Sequence, residues 1–231
     1  ASDLSLTLGS VLRLQEDAAN FPSVARLNAS LGLACWEDDN ANDYLVCATL
    51  TLTLGGTALS MGATTTVRYA STMQPSVMAL GETSAVVCYY DTSSYRVRCN
   101  ALAVGSDGAL TGGGYSDLYS SYLYTSYSNS LVTAALDSTH GAVCVRTSGQ
   151  YTYCYVLTVS GTSVSKGGGA YGSTYYAETL TMSAFDELSA MLCYREIYGR
   201  CNVLTRSASN ASLSMGQAIQ FFSSSMSLRP D

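Results

Sequence analysis

Lysine is nearly missing from this chain. Of its 231 residues only Lys166 is a lysine, and charged side chains of all kinds make up 12 %. The eleven basic residues form no run and the net charge is −6. That excludes the phosphate-neutralising patch of a nucleic-acid binder and the basic face that docks on anionic lipid. No apolar run approaches the ~18 residues of a membrane span. Helical periodicity is absent, as is the Lys-, Glu- and Ala-rich composition of a coiled coil. Histidine occurs once, as His140, so several zinc sites cannot be completed. Intrinsic disorder is excluded by what is abundant: Leu, Val and Tyr recur throughout, so a core can form.

Cysteine is plentiful. The eight residues fall into four close pairs, Cys35 and Cys47, Cys88 and Cys99, Cys144 and Cys154, Cys193 and Cys201, separated by 12, 11, 10 and 8 residues. Zinc ligands prefer two to four residues between paired cysteines, so the spacing favours disulfides and an oxidising compartment. Two sequons, at Asn28 and Asn210, point the same way. The sequence starts at Ala1-Ser2-Asp3, with no initiating Met, and the expectation is a processed mature chain. The expected location is secreted or extracellular, with an oxidising organelle lumen as the alternative.

The cysteine pairs mark an internal repeat. Eight residues before each first cysteine stand Leu27, Leu80, Leu136 and Phe185, followed by the turn formers Asn28, Gly81, Asp137 and Asp186. One residue after it stand Trp36, Tyr89, Val145 and Tyr194. Three residues after each second cysteine stand Leu50, Leu102, Leu157 and Leu204. A Gly-, Ser- or Asn-rich turn follows, then Leu59-Ser60-Met61-Gly62 or its counterparts beginning at Leu110, Val164 and Leu213.

Each unit reads as four short strands. Val87 and Tyr89 flank Cys88, so that strand is apolar on both faces and is covered on both. Thr, Val and Tyr favour pleated surfaces. Four-stranded antiparallel units that repeat and pack on both faces describe an all-β, four-bladed β-propeller. The expected single domain spans 1–231, with units at about 22–70, 75–128, 130–178 and 180–222, and one disulfide hairpin per blade. Leu6-Thr7-Leu8-Gly9 repeats the signature of the fourth strand. This leaves a surplus strand in 1–16, expected to join the last blade and close the ring, or else to pair with another molecule.

The unit's wording is distinctive: Val87-Cys88-Tyr89, then Cys99-Asn100-Ala101-Leu102-Ala103-Val104, and Cys201-Asn202-Val203-Leu204. It resembles the cysteine-hairpin β-propeller repeat proteins predicted in dinoflagellates and related algae, over nearly the whole chain. The resemblance implies a secreted or lumenal propeller with no assigned reaction.

Chemistry is harder to find. His140 lies in a turn between the first two strands of its unit, without nucleophile-elbow spacing. Glu37-Asp38-Asp39-Asn40-Ala41-Asn42-Asp43 is the densest acidic stretch. Asp38, Asn40 and Asn42 match the first half of a calcium loop, yet Asp43 stands where glycine is required and Thr49 where glutamate is. The reading favoured is a solvated hairpin tip. Gly112-Gly113-Gly114 and Gly167-Gly168-Gly169 lack the helix of a phosphate loop and are read as strand or bulge glycines. No cofactor, metal set or catalytic residue is assigned.

An up-and-down blade puts the cysteine hairpins and the longest connections at one end. The expected ligand face there comprises Asp38, Asp39, Tyr90, Asp91, Tyr95, Arg96, Tyr151, Arg195, Glu196 and Tyr198. Tyrosine rings can stack on sugars or meet a protein partner. The expected function is a non-catalytic extracellular module that binds a glycan or an extracellular protein. The alternatives are a structural subunit self-associating through its terminal strands and, less favoured, a hydrolase.

Overall fold

The structure is a computed structural model. It describes residues 11–14, 19–53, 58–119, 130–147, 149, 151–173, 177–196, 198–209 and 211–220. The described chain forms four antiparallel sheets in succession, each meandering from an inner to an outer strand. The first blade holds β1 (Ala19–Arg26), β2 (Leu31–Asp38) and β3 (Tyr44–Leu52), and its outer position is shared by β4 (Leu59–Met61) and β5 (Thr65–Arg68). The second is β6 (Thr72–Ala79), β7 (Ser84–Asp91), β8 (Arg96–Val104) and β9 (Leu110–Tyr119). The third is β10 (Leu131–Ala135), β11 (His140–Arg146), β12 (Thr152–Ser160) and β13 (Ser163–Ser173). The fourth is β14 (Glu178–Ala184), β15 (Ser189–Arg195) and β16 (Gly199–Arg206), flanked by β17 (Leu213–Met215) and β18 (Ile219–Gln220). The only helical segment among the described residues is a single 3-10 turn, Asp39–Ala41.

The turn formers act as the sequence predicts. The side chain of Asn28 accepts hydrogen bonds from the amides of Ser30 and Leu31, Asp137 from Thr139 and His140, and Asp186 from Leu188 and Ser189. These Asx turns reverse the chain between the first two strands of a blade. In the hairpin that follows, each cysteine of the second strand lies opposite its partner in the third. The four disulfides are Cys35–Cys47, Cys88–Cys99, Cys144–Cys154 and Cys193–Cys201, with Cα separations of 4.0–4.1 Å. A directly opposed antiparallel pair brings its Cα atoms this close only at non-hydrogen-bonded positions.

Side chains alternate across each sheet, and both faces are apolar. In the first three blades the disulfide face packs on the following blade. Leu33, Cys35, Leu45 and Cys47 meet Ala85, Val87 and Tyr89 of the second blade. Val86, Cys88 and Cys99 meet Val143, Val145 and Leu157 of the third. Cys144, Cys154 and Val156 meet Leu192, Tyr194 and Leu204 of the fourth.

The Cys-Asn wording now has a reason. Buried Asn100 accepts a hydrogen bond from the Tyr89 hydroxyl (2.8 Å) and donates to the carbonyl of Gly113 (3.0 Å). Asn202 does the same with Tyr194 (2.8 Å) and Gly216 (2.8 Å). One amide thus satisfies a buried phenol and ties it to the outer strand. The first blade has Trp36 and Ala48 at these two positions in place of the Tyr–Asn pair.

The glycine runs are docking points between blades. The amide of Gly114 donates to Thr162 O (3.1 Å) and that of Gly168 to Ala211 O (2.7 Å), each in the outer turn of the next blade. A Cβ on Gly113 would stand 1.9 Å from Thr162 O, and one on Gly167 would stand 2.1 Å from Ala211 O.

Inner strands β1, β6, β10 and β14 pack in series from the first blade to the fourth. Among the described residues no packing of that extent joins the fourth blade to the first. Strands β17 and β18 pair with β16 in the last blade. Most of 1–16, the surplus strand expected to join that blade, lies outside the described residues, and Leu14 packs against the first-blade cluster that contains Trp36. Strand β6 begins at Thr72, ahead of the unit start expected at about 75, because a bulge between Met73 and Ser76, with Gln74 at φ 53°, lets pairing continue past Pro75.

The blade-to-blade glycines give a sharp contrast. Gly113→Ala should destabilise the protein by about 2 kcal/mol through overpacking against Thr162. Gly112→Ala, whose Cβ would meet nothing within 4 Å, should fall within about 0.5 kcal/mol of wild type. Urea unfolding of the two variants checks this.

Candidate functional site

The hairpins between second and third strands, and the connections between blades, gather at one end. At the first junction Thr72 donates through its amide (2.8 Å) and hydroxyl (3.0 Å) to the carbonyl of Asp43. The Thr92 amide donates to Ser71 O at 3.0 Å. The connection entering the second blade is therefore fastened to the hairpins of both blades.

The ten residues expected on this face separate by burial. Tyr90 and Asp91 do not belong to a ligand surface. Tyr90 is 3 % exposed and packs in the core between the second and third blades. Asp91 is fully buried, paired with Arg68 (2.8 Å) and with Arg98. Both lie at the end of β7, where the strand is still covered on both faces; the hairpin tip begins one residue later. Burial alone would raise the Asp91 carboxyl, but the Ser93 hydrogen bond and the two guanidinium groups hold it below the usual carboxylate range.

Seven of the other eight lie nearer solvent, while the Glu196 side chain is only 7 % exposed. Tyr95 is 49 % and Tyr151 45 % exposed. Arg96 pairs with Asp117, which also accepts from Arg98 Nε at 2.8 Å. Arg195 pairs with Glu178 (2.6 Å) and Glu196 with Arg200 (3.0 Å). Tyr198 and Asp38 are half-buried, and Asp38 caps the short 3-10 turn by accepting from Asn40 N. Asp39 is exposed and accepts from Asn20 Nδ2 at 2.7 Å. Beside it Glu37 is 5 % exposed. Burial, with smaller contributions from Asp43 and Asp39, pushes its carboxyl up to about 7 against the opposing hydrogen bond from Asn20.

Sequence reasoning missed a row of aromatic rings, of which Tyr119 and Tyr153 are partly buried against the core. Tyr119, Tyr153 and Tyr171 form a row at the hairpin end of the second and third blades, with centroids 5.5 and 4.3 Å apart. The hydrogen bond to Tyr171, then burial, raises the Tyr153 phenol. Tyr171 is 61 % exposed. Nearby, Arg98 lies 4.4 Å over the Tyr115 ring, a cation–π contact. The row depends on a bulge between Tyr155 and Leu157 that brings Tyr171 opposite Tyr153. The tyrosine-rich sequence was a signal for it, but the register that aligns the rings was not.

His140 sits at the opposite end. Its Nδ1 lies 2.9 Å from Asp137, which also pairs with Arg206 of the fourth blade at 2.8 Å. Burial opposes ionisation of Asp137, but the amide and hydroxyl of Thr139 and the groups of His140 outweigh it and hold the carboxyl at about 2. Sequon residue Asn28 lies at this same end, in its Asx turn; Asn210 lies outside the described residues.

No family model matches this chain, and neither does any curated protein. Solved structures do. AofleA from Arthrobotrys oligospora is similar at 12 % identity, with TM-scores of 0.50 for the protein and 0.51 for a triple arginine-to-alanine variant. The match covers 86 % of this chain and 57 % of AofleA, so the chain spans less than two thirds of that protein's length. A putative 6-phosphogluconolactonase from Bacteroides fragilis matches at 8 % identity and TM-score 0.46, over 87 % of this chain and 71 % of its own. At 12 % identity the likeness to AofleA bears on the fold alone.

Two carboxylates should respond differently to mutation. Asp91→Asn, which leaves Arg98 and Arg68 facing a neutral side chain in a buried site, should cost about 3 kcal/mol of stability. Asp137→Asn should cost about 1 kcal/mol at pH 7, because that group is partly solvated. The native carboxyl of Asp137 titrates at about 2, below its ordinary 3.8. Its stabilisation is therefore present above pH 4 and lost as pH falls through 2, where variant and wild type should converge. Thermal unfolding across that pH range checks both.

Proposed function

We propose that this protein is an extracellular binding module that takes carbohydrate on the hairpin end of the second and third blades. The observation that carries the reading is the exposed tyrosine surface there: Tyr171, Tyr115, Tyr95 and Tyr151, each 45–61 % exposed, beside the Arg96–Asp117 ion pair. Flat aromatic faces stack on the apolar face of a pyranose ring, while a guanidinium and a carboxylate hold its hydroxyl groups. Asp117, Tyr115 and Tyr171 take the places that Tyr90 and Asp91 leave in the site expected from sequence. Four disulfides support an oxidising, secreted setting. No helix among the described residues is long and apolar enough to cross a membrane.

Assembly through a surplus strand has less support. The outer edge of the fourth blade consists of β17 and β18, three and two residues long and interrupted between them. Short, broken edges are poor templates for strand addition.

A glycan array with the intact protein, run with size-exclusion chromatography, tests the proposal. The expected result is glycan binding by a monomer, weakened about tenfold or more in Tyr171→Ala and Tyr151→Ala, a loss near 1.4 kcal/mol. The melting temperatures of both variants should stay close to wild type. A wild-type protein blind to all glycans, or variants that bind as well as wild type, would overturn it.

A further inference from the structure

The acidic hairpin of the first blade contains a feature that a solvated tip does not explain. One carboxylate oxygen each from Glu37, Asp39 and Asp43 lie within 4.8 Å of one another. Oxygens bound to one calcium ion at 2.3–2.6 Å can be at most about twice that distance apart, so the three fit a single coordination shell. Asp39 and Asp43 have access to solvent, as acidic tip residues usually do. Glu37 does not: it is 5 % exposed, and its Oε2 has no hydrogen-bond partner among the described residues. Its other oxygen accepts from Asn20 Nδ2 at a long 3.4 Å. No arginine, lysine or histidine pairs with any of the three carboxylates among the described residues. A buried, half-unpartnered carboxylate beside two others is costly unless a cation completes it.

We propose that Glu37, Asp39 and Asp43 bind a calcium ion at the junction of the first and second blades. All the donors are oxygens, the preference of a hard divalent cation, and carboxylates on a short hairpin allow the flexible geometry calcium accepts. The ligand set also differs from the loop pattern the sequence offered. It uses the odd-numbered residues 37, 39 and 43, not Asp38, Asn40 and Asn42. β2 runs to Asp38 and turns Glu37 inward, while Asn42 and Asp43, at φ 57° and 59°, fold the chain back. Asp43 ties the ion to the next blade. Its carbonyl accepts from Thr72 and its Oδ2 from Ser71 Oγ at 3.2 Å. The bound ion therefore clamps the first hairpin to the connection that enters the second blade, and fixes one edge of the hairpin face. The site stands independently of any glycan.

The test uses calcium chloride alone on the intact, oxidised protein after chelation and dialysis. Calcium at 5 mM should raise the wild-type melting temperature by about 5 °C. The shift should vanish in Glu37→Gln and shrink in Asp39→Asn, an exposed position whose variant should fold even if Glu37→Gln does not. Isothermal titration should show one site per chain, lost in the same variants. No shift in wild type, or a shift undiminished in Asp39→Asn, would overturn the proposal.

Discussion

The fold depends on one contact repeated three times: the disulfide face of one blade against the apolar face of the next. Each blade is a thin sheet with apolar residues on both sides, and a lone sheet of that kind cannot keep both sides from water. Burial of Leu33 and Cys35 against Val87, or of Cys144 against Leu192, therefore holds blades and chain together at once. The disulfides stiffen the two central strands of each blade, though each closes only a short loop, worth about 3 kcal/mol or less in the chain-entropy model.

Around that contact the chain uses very little charge, and two of its carboxylates bridge blade junctions. Asp91 joins Arg68 at the end of the first blade to Arg98 in the second, and Asp137 joins His140 in the third to Arg206 in the fourth. The Asn100 and Asn202 amides and the glycine docking points add hydrogen bonds that are satisfied only when neighbouring strands or blades are in register. Polar groups thus set alignment, and apolar groups supply most of the attraction. The hairpin end is left free to vary, and the exposed tyrosines collect there.

Much of the architecture was legible in the sequence, because repetition aligns the equivalent positions of each unit. Asn28, Asp137 and Asp186 announced their turns, and the cysteine pairs announced opposed strands. Legibility failed for Tyr90 and Asp91, two residues and one residue before a hairpin tip. Sequence locates a turn without showing how far neighbouring blades extend over it. It failed too for Tyr119, Tyr153 and Tyr171, which come from two strands of one blade and the edge of another. Their alignment follows from bulges, and a one-residue shift changes which side chains meet.

The sequence by itself determined the strands, the turns, the cysteine partners and the count of four units, since all of these follow from local pattern and period. Tertiary structure alone decided which face of each blade meets its neighbour, which tyrosines reach solvent, and that Glu37 is buried beside Asp39 and Asp43. The first two depend on distances between residues far apart in the chain, and the third on what packs over one hairpin; both are set by packing, not by any local preference.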